Sequence, residues 1–82
     1  MKTNFFHVYI LRCNDGGIYT GFTQDLDDRL DRHNRGSVPS TKNRRPVKLI
    51  FFCSFVDKYQ AYAFEKYLKT GSGRAFCNKR FL

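Results

Sequence analysis

Phe5-Phe6-His7-Val8-Tyr9-Ile10-Leu11, a break at Asn14-Asp15-Gly16-Gly17, and then Ile18-Tyr19-Thr20-Gly21-Phe22-Thr23 decide how this chain folds. Both flanking runs are rich in aromatic and β-branched residues, which suit a pleated, half-buried surface. Asp and Gly between them tolerate the left-handed backbone that a tight turn needs. The stretch predicts a β-hairpin, and the register of that hairpin carries the functional consequence. Side chains alternate faces along a strand, so Tyr9 and Tyr19 share a face only if the loop holds an odd number of residues. A three-residue loop closed by Gly16 in a bulge sets Tyr9 across from Gly21, where the missing side chain leaves open space. We predict that register, which lines one bare pocket with two phenols. An even loop sends them to opposite faces of an ordinary hairpin, and strand geometry alone does not choose between the two.

At 82 residues the chain reads as one domain, residues 1–82, with a thin core. Chains of this size bury only about 60% of their unfolded surface. Nine Phe and five Tyr with no Trp point to an aromatic-heavy interior. No apolar run approaches the ~20 residues of a membrane span, and no charged-then-apolar leader opens the chain. These features predict a cytoplasmic protein without a membrane partner. Cys13, Cys53 and Cys77 are odd in number and far apart, which fits neither a disulfide framework nor a paired-cysteine zinc site. They read as reduced packing residues.

Charge says more than size. The net is +8, but residues 1–31 hold three basic side chains against five aspartates, and residues 32–82 hold twelve against Asp57 and Glu65. A one-sided positive field attracts polyanions, and a stretch so charged repels itself unless a partner neutralises it. Nucleic acid is the partner this predicts; a merely solubilising basic surface is the plainer alternative.

After the hairpin, Asp25 caps a helix running to about Asn34, with Asp27 and Asp28 in its first turn. Leu26, Arg29, Leu30 and His33 fall on one face, while Asp27, Asp28, Asp31 and Arg32 point elsewhere. The face that packs on the sheet thus carries an arginine and a histidine. Burying a guanidinium without a partner is costly. Either an anionic ligand sits at the sheet edge, or Arg29 pairs with a neighbouring aspartate while its stem covers apolar surface. Arg35 to Pro46 reads as a long loop carrying Arg35, Lys42, Arg44 and Arg45 with no acid. Val47 to Phe55 is apolar nearly throughout and predicts a third strand paired on at least one side and covered on both faces. Asp57 caps a second helix, with Gln60 completing a capping-box pattern, running to about Thr70 where Gly71-Ser72-Gly73 stops it. Its apolar stripe is Ala61, Phe64 and Leu68. Glu65 lies on the flank of that stripe, either solvated and paired with Lys69 at i,i+4 or pointed along the sheet for a cation. Arg74 to Phe81 predicts a short closing helix, with Ala75, Phe76 and Phe81 packing down.

The series Tyr9, Tyr19-Thr20-Gly21, Arg29, His33, Glu65 resembles the GIY-YIG nuclease superfamily, in particular its small stand-alone bacterial members. The first half of the name motif appears as Val8-Tyr9-Ile10, keeping only the tyrosine. The second half appears as Tyr19-Thr20-Gly21, with threonine in place of isoleucine. The Arg-x-x-x-His pair is Arg29 and His33, the helix glutamate is Glu65, and the terminal asparagine of many members corresponds to Asn78. The resemblance runs from Phe6 to about Arg80. It implies an α+β fold, a three-stranded antiparallel sheet flanked by helices, and cleavage of a phosphodiester with one divalent metal ion, Mg²⁺ or Mn²⁺. Glu65 is then the metal ligand, and Arg29 binds the scissile phosphate with its planar fork. Tyr9 orients or deprotonates the attacking water, and as a base it needs nearby cations to lower a phenol pKa of about 10. His33 either acts as the base itself or accepts a proton from a tyrosine. Tyr19 completes the pocket, and Gly21 lets nucleic acid approach the strand. Members of this superfamily serve DNA metabolism, repair included.

Under that reading Arg35, Lys42, Arg44, Arg45 and Asn78 hold phosphates outside the reaction centre. If about five cations do so, affinity falls with salt at a log–log slope near −4. Tyr59, Tyr62 and Tyr67 are available to stack on unpaired bases, although helical spacing more often means packing. So small a surface predicts weak sequence specificity and a single-stranded or irregular DNA substrate, with RNA the other polymer and no obligatory protein partner. The competing classes are a nucleic-acid-binding module that does not cut, and an adaptor that meets an acidic protein or the ribosome.

Overall fold

In the computed structural model, which describes residues 4–81, the hairpin closes through the odd loop. The Cys13 N–H donates to the Gly17 carbonyl at 2.9 Å and the Gly16 N–H to the Cys13 carbonyl at 3.0 Å, leaving Asn14, Asp15 and Gly16 as the turn. Gly16 takes φ +84°, the left-handed conformation that a side chain disfavours. Strands β1 (Phe6–Arg12) and β2 (Ile18–Thr23) consequently pair with Tyr9 opposite Gly21 and Leu11 opposite Tyr19. Both tyrosines lie on one face, as the three-residue loop requires.

Strand β3 (Lys48–Phe55) pairs antiparallel with the other side of β1, giving a three-stranded sheet in the order β2-β1-β3. The central position explains why Val8, Tyr9, Ile10 and Leu11 are all wholly buried. It also corrects the expectation for the third strand. β3 is an edge, and Phe52, opposite Tyr9, is 50% exposed. Phe51, Cys53 and Phe55, with Ile50 at the register shift, meet the core and Phe52 does not, so the unbroken apolar run of β3 does not mean cover on both faces.

Helix α1 (Leu26–Arg35) begins where the Asp25 carboxylate accepts the Asp28 N–H at 3.0 Å, and ends at Gly36 with φ +81°. Its wheel is as predicted: His33 is buried, Leu26, Arg29 and Leu30 are half-buried, and the aspartates are exposed. Helix α2 (Lys58–Leu68) starts from the Asp57 carboxylate, which accepts the Tyr59 N–H at 2.8 Å. It sets Ala61 and Leu68, with Phe64 beside them, on Val8 and Ile10, and Cys77 of α3 (Gly71–Phe81) completes this core.

The third helix starts earlier than Arg74. Thr70 begins it, its hydroxyl accepting the Gly73 N–H at 3.1 Å and its carbonyl the Arg74 N–H at 2.9 Å. Gly73 is no helix stop: a β-carbon there would collide with the Tyr67 carbonyl and Leu68. The glycine lets α3 lie flush on the end of α2. Ala75 is exposed, and Cys77 with half-buried Phe76 does the packing. The expected packing of the Phe81 side chain lies outside the described residues.

The loop from 36 to 47 is built rather than loose. A 3-10 turn at Lys42–Arg44 docks on the hairpin. The Asn14 N–H donates to the Arg44 carbonyl at 2.9 Å, and the Arg44 guanidinium donates twice to Asp15, at 2.7 and 3.2 Å. All three cysteines are free, and burial raises each thiol above its ordinary pKa, which suits inert packing residues. Among the described residues no helix is long and apolar enough to cross a membrane.

Candidate active site

Tyr9 lies over Gly21 so closely that a β-carbon on the glycine would enter the phenol. Tyr19, two pairs further along, sets its ring centroid 6.3 Å from that of Tyr9. α1 brings His33 edge-on to both rings, at 5.7 Å from Tyr9 and 5.1 Å from Tyr19. His33 Nε2 is 2.8 Å from the Tyr9 hydroxyl, and Nδ1 is 2.7 Å from the Thr41 hydroxyl. Tyr9, His33 and Thr41 are wholly buried, so every polar atom in this chain needs an internal partner, and each has one. Two arrangements satisfy it. Either Tyr9 O–H donates to Nε2 while Nδ1–H donates to Thr41, or Nε2–H donates to Tyr9 while Thr41 O–H donates to Nδ1.

Burial lowers the His33 pKa from 6.5, and Arg29 lowers it further, so the imidazole is neutral at neutral pH. Burial likewise raises Tyr9, and Tyr19 and Glu65 push the same way while Arg29 opposes them. Arg29 acts in the direction that base action by this phenol requires, but by itself it is outweighed by loss of water. His33 is also walled off from solvent, which prevents it from meeting a water directly.

Arg29 enters no ion pair with a carboxylate among the described residues. The aspartates of its own helix serve others: Asp28 pairs with Arg32 at 2.9 Å and Asp31 with Arg35 at 3.0 Å. Arg29 is left half-buried, close enough to act on both Tyr9 and His33. Glu65 takes the paired reading and also acts at a distance. It pairs with Lys69 at 3.3 Å, and its charge still reaches Tyr9. Tyr9, Tyr19 and His33 are thus in direct contact, and the charges of Arg29 and Glu65 both act on Tyr9.

An open groove of ≈ 550 Å³ runs beside β2, with Tyr19, Arg44, Lys69, Arg74 and Asn78 on its walls. A smaller hollow of ≈ 370 Å³ lies along Arg29, Arg32 and Arg35. The other basic residues differ in what they are free to do. Arg44 is held by Asp15, and Arg45 donates to the Lys42 and Asn34 carbonyls at 2.9 and 3.3 Å. Lys42 is exposed. Tyr62 stacks on Phe22 at 4.5 Å and Tyr67 on Phe64 at 6.4 Å, whereas Tyr59 is 76% exposed.

Two residues of the site were not singled out from the sequence. Thr41 sits in a stretch with no period, and Asp15 reads only as a turn residue. The one available signal is that Asp15 and Arg44 are opposite charges in two loops.

Among the described residues no three His, Cys, Asp or Glu side chains gather to hold a metal. Glu65 offers one half-buried carboxylate near an open groove. Such a donor set does not build a closed zinc cage. It fits a hard ion that keeps most of its waters and takes phosphate oxygens, as Mg²⁺ and Mn²⁺ do.

The GIY-YIG catalytic domain matches residues 5–80 of this chain. A UPF0213 protein of Pediococcus pentosaceus is 45% identical over 67 residues, covering 80% of this chain and 70% of its own length. One from Clostridium perfringens is 44% identical over 64 residues, covering 77% of this chain and 69% of that one. The solution NMR structure of a UPF0213 protein from Bacillus halodurans superposes with a TM-score of 0.59 at 36% identity, over 92% of this chain and 81% of that one. With both tyrosines of the hairpin, the helix arginine and histidine and the second-helix glutamate in place on this fold, the chain belongs to the GIY-YIG superfamily, alongside the small stand-alone UPF0213 proteins.

Proposed function

We propose that this chain, acting as one unit over residues 1–82, is a divalent-metal-dependent endonuclease that hydrolyses phosphodiester bonds in DNA. The observation that carries the reading is the enclosed Tyr9–His33–Thr41 chain behind an open basic groove, with Arg29 and Glu65 both acting on Tyr9. Glu65 would hold one Mg²⁺ or Mn²⁺, an ion that when bound stabilises charge on the scissile phosphate and the leaving 3′ oxygen. Arg29, which enters no ion pair with a carboxylate among the described residues, binds two oxygens of the same phosphate. Tyr19, half-buried on the groove wall, meets the attacking water. Tyr9 lies behind it and donates its proton to neutral His33 Nε2 as it takes one from the Tyr19 side. Thr41 keeps the imidazole oriented for that transfer. Lys42, Asn78, Arg35 at the end of α1, and Arg44 and Arg45 of the loop hold flanking phosphates, and Gly21 keeps the strand approachable. The domain is small and its groove open, which favours a single-stranded or irregular substrate read with little sequence preference. The protein works in the cytoplasm, on DNA that needs processing or repair.

The test is incubation of labelled single- and double-stranded DNA and RNA with Mg²⁺, Mn²⁺ or chelator, beside Glu65→Ala. Metal-dependent cutting of DNA, absent in the variant, supports the reading. Salt-sensitive binding with no cutting in any metal would make the chain a binding module of the same fold.

A further inference from the structure

The Glu65–Lys69 ion pair sits where two jobs meet. The Lys69 ammonium is 3.3 Å from the Glu65 carboxylate, and the same residue lines the groove beside β2 with Arg44, Arg74 and Asn78. The pair is lopsided: the Lys69 side chain is 55% exposed and that of Glu65 20%. The more exposed Lys69 has room to swing away, whereas Glu65 is held at the site. An exposed i,i+4 pair favours its closed form by only about twofold. It therefore yields to any stronger cation on the same carboxylate, and a divalent ion also repels the ammonium. The groove already presents two guanidiniums and an amide, the groups that meet phosphate oxygens. A lysine released among them finds the same ligand.

We propose that Lys69 is a substrate-phosphate residue held in reserve by Glu65: a divalent cation displaces its ammonium from the carboxylate, and it turns into the groove to bind a phosphate next to the scissile one. This rests on the metal-dependent nuclease reading. The step is an exchange of cations, with no covalent bond made or broken. By linkage, metal and nucleic acid then favour each other's binding through Lys69. Metal-free protein holds a strand weakly, and metal-loaded protein grips it.

The test needs no turnover. A fluorescent single-stranded oligonucleotide is titrated in EDTA, at fixed salt, with wild type, Glu65→Gln, Lys69→Met and the double variant. Loss of the carboxylate frees Lys69 without metal. Lys69→Met should then weaken binding about three- to tenfold in the Glu65→Gln background and less than about twofold in the wild type. Equal weakening in both backgrounds, or none in either, overturns the proposal. In a second arm, Mn²⁺ is titrated without nucleic acid and followed by electron paramagnetic resonance. Lys69→Met should bind the ion about two- to threefold tighter, because a competing cation has gone; unchanged or weaker binding overturns it. Failure of the wild type to bind Mn²⁺ at all sinks the nuclease reading and this inference together. Mn²⁺ binding that is indifferent to Lys69 sinks this inference alone.

Discussion

Thr41 shows how one hydroxyl, 8 residues along the chain from His33, can decide what an imidazole does. Thr41→Val keeps the shape and removes the partner of Nδ1, leaving a buried polar atom unsatisfied. The expected loss is about 1–3 kcal/mol in urea unfolding, with Thr41→Ser retaining most of it. Gly21→Ala places a methyl group where the Tyr9 phenol stands, at an expected cost of about 1–3 kcal/mol and a changed tyrosine signal in near-UV circular dichroism. An unaltered signal would mean that the ring is not packed as described. At this scale the sequence was readable wherever periodicity or turn chemistry spoke. The inward His33 follows from helix geometry, whereas strand geometry left the loop parity open, and the left-handed Gly16 turn decides it and with it the shared face of the two tyrosines. Thr41 was not readable, because a polar residue in an aperiodic loop looks the same whether it is solvated or buried.

Among the elements, the hairpin turn and the 3-10 turn hold each other. Asp15 and Arg44 join two segments 29 residues apart, and the Arg44 hydrogen bonds draw the Asp15 carboxyl below its ordinary pKa. Arg44→Ala should loosen the loop, seen as faster amide exchange at Thr41 and a shifted His33 imidazole resonance. Protection equal to wild type would contradict the clamp. At the junction of α2 and α3, Gly73→Ala forces α3 off the Tyr67 carbonyl. Backbone cannot give way as a flexible side chain does, so the expected loss is about 1–3 kcal/mol, measured by thermal or urea unfolding. Element types were legible, but boundaries and cover were not. Gly71-Ser72-Gly73 has the composition of a stop and serves as a close-contact start, since composition does not report what a neighbouring helix needs. β3 is apolar enough for a central strand and lies at the edge, because only pairing partners decide position in a sheet.

Across the whole molecule, the charge imbalance along the chain is partly rejoined by folding. Arg32, Arg35, Arg44 and Lys69 all meet carboxylates, three of them contributed by the acidic first 31 residues. What remains is a positive groove and a hollow around Arg29. Oligonucleotide affinity should fall with salt at a log–log slope near −4 if about five phosphates are held; a slope near zero removes the nucleic-acid reading. Acid acts through His33. Its folded-state pKa lies below the ordinary 6.5, so the neutral ring contributes stability that is present above 6.5 and lost as pH falls through the lower, folded value. The melting temperature should therefore drop on acidification below 6.5, and His33→Gln should flatten that drop. Cleavage should fail over the same interval, because a protonated imidazole accepts nothing from Tyr9.

The central claim is that side chains from a hairpin and two helices converge to hold one ion beside one phosphate. Paramagnetic broadening of amide resonances by substoichiometric Mn²⁺, in wild type and Glu65→Gln, tests it most directly. The account predicts broadening centred on Glu65 and extending to Tyr19 and the Arg29 turn, abolished by the substitution. Broadening centred on the exposed aspartates Asp27, Asp28 and Asp31 of α1, and unchanged in Glu65→Gln, would contradict it.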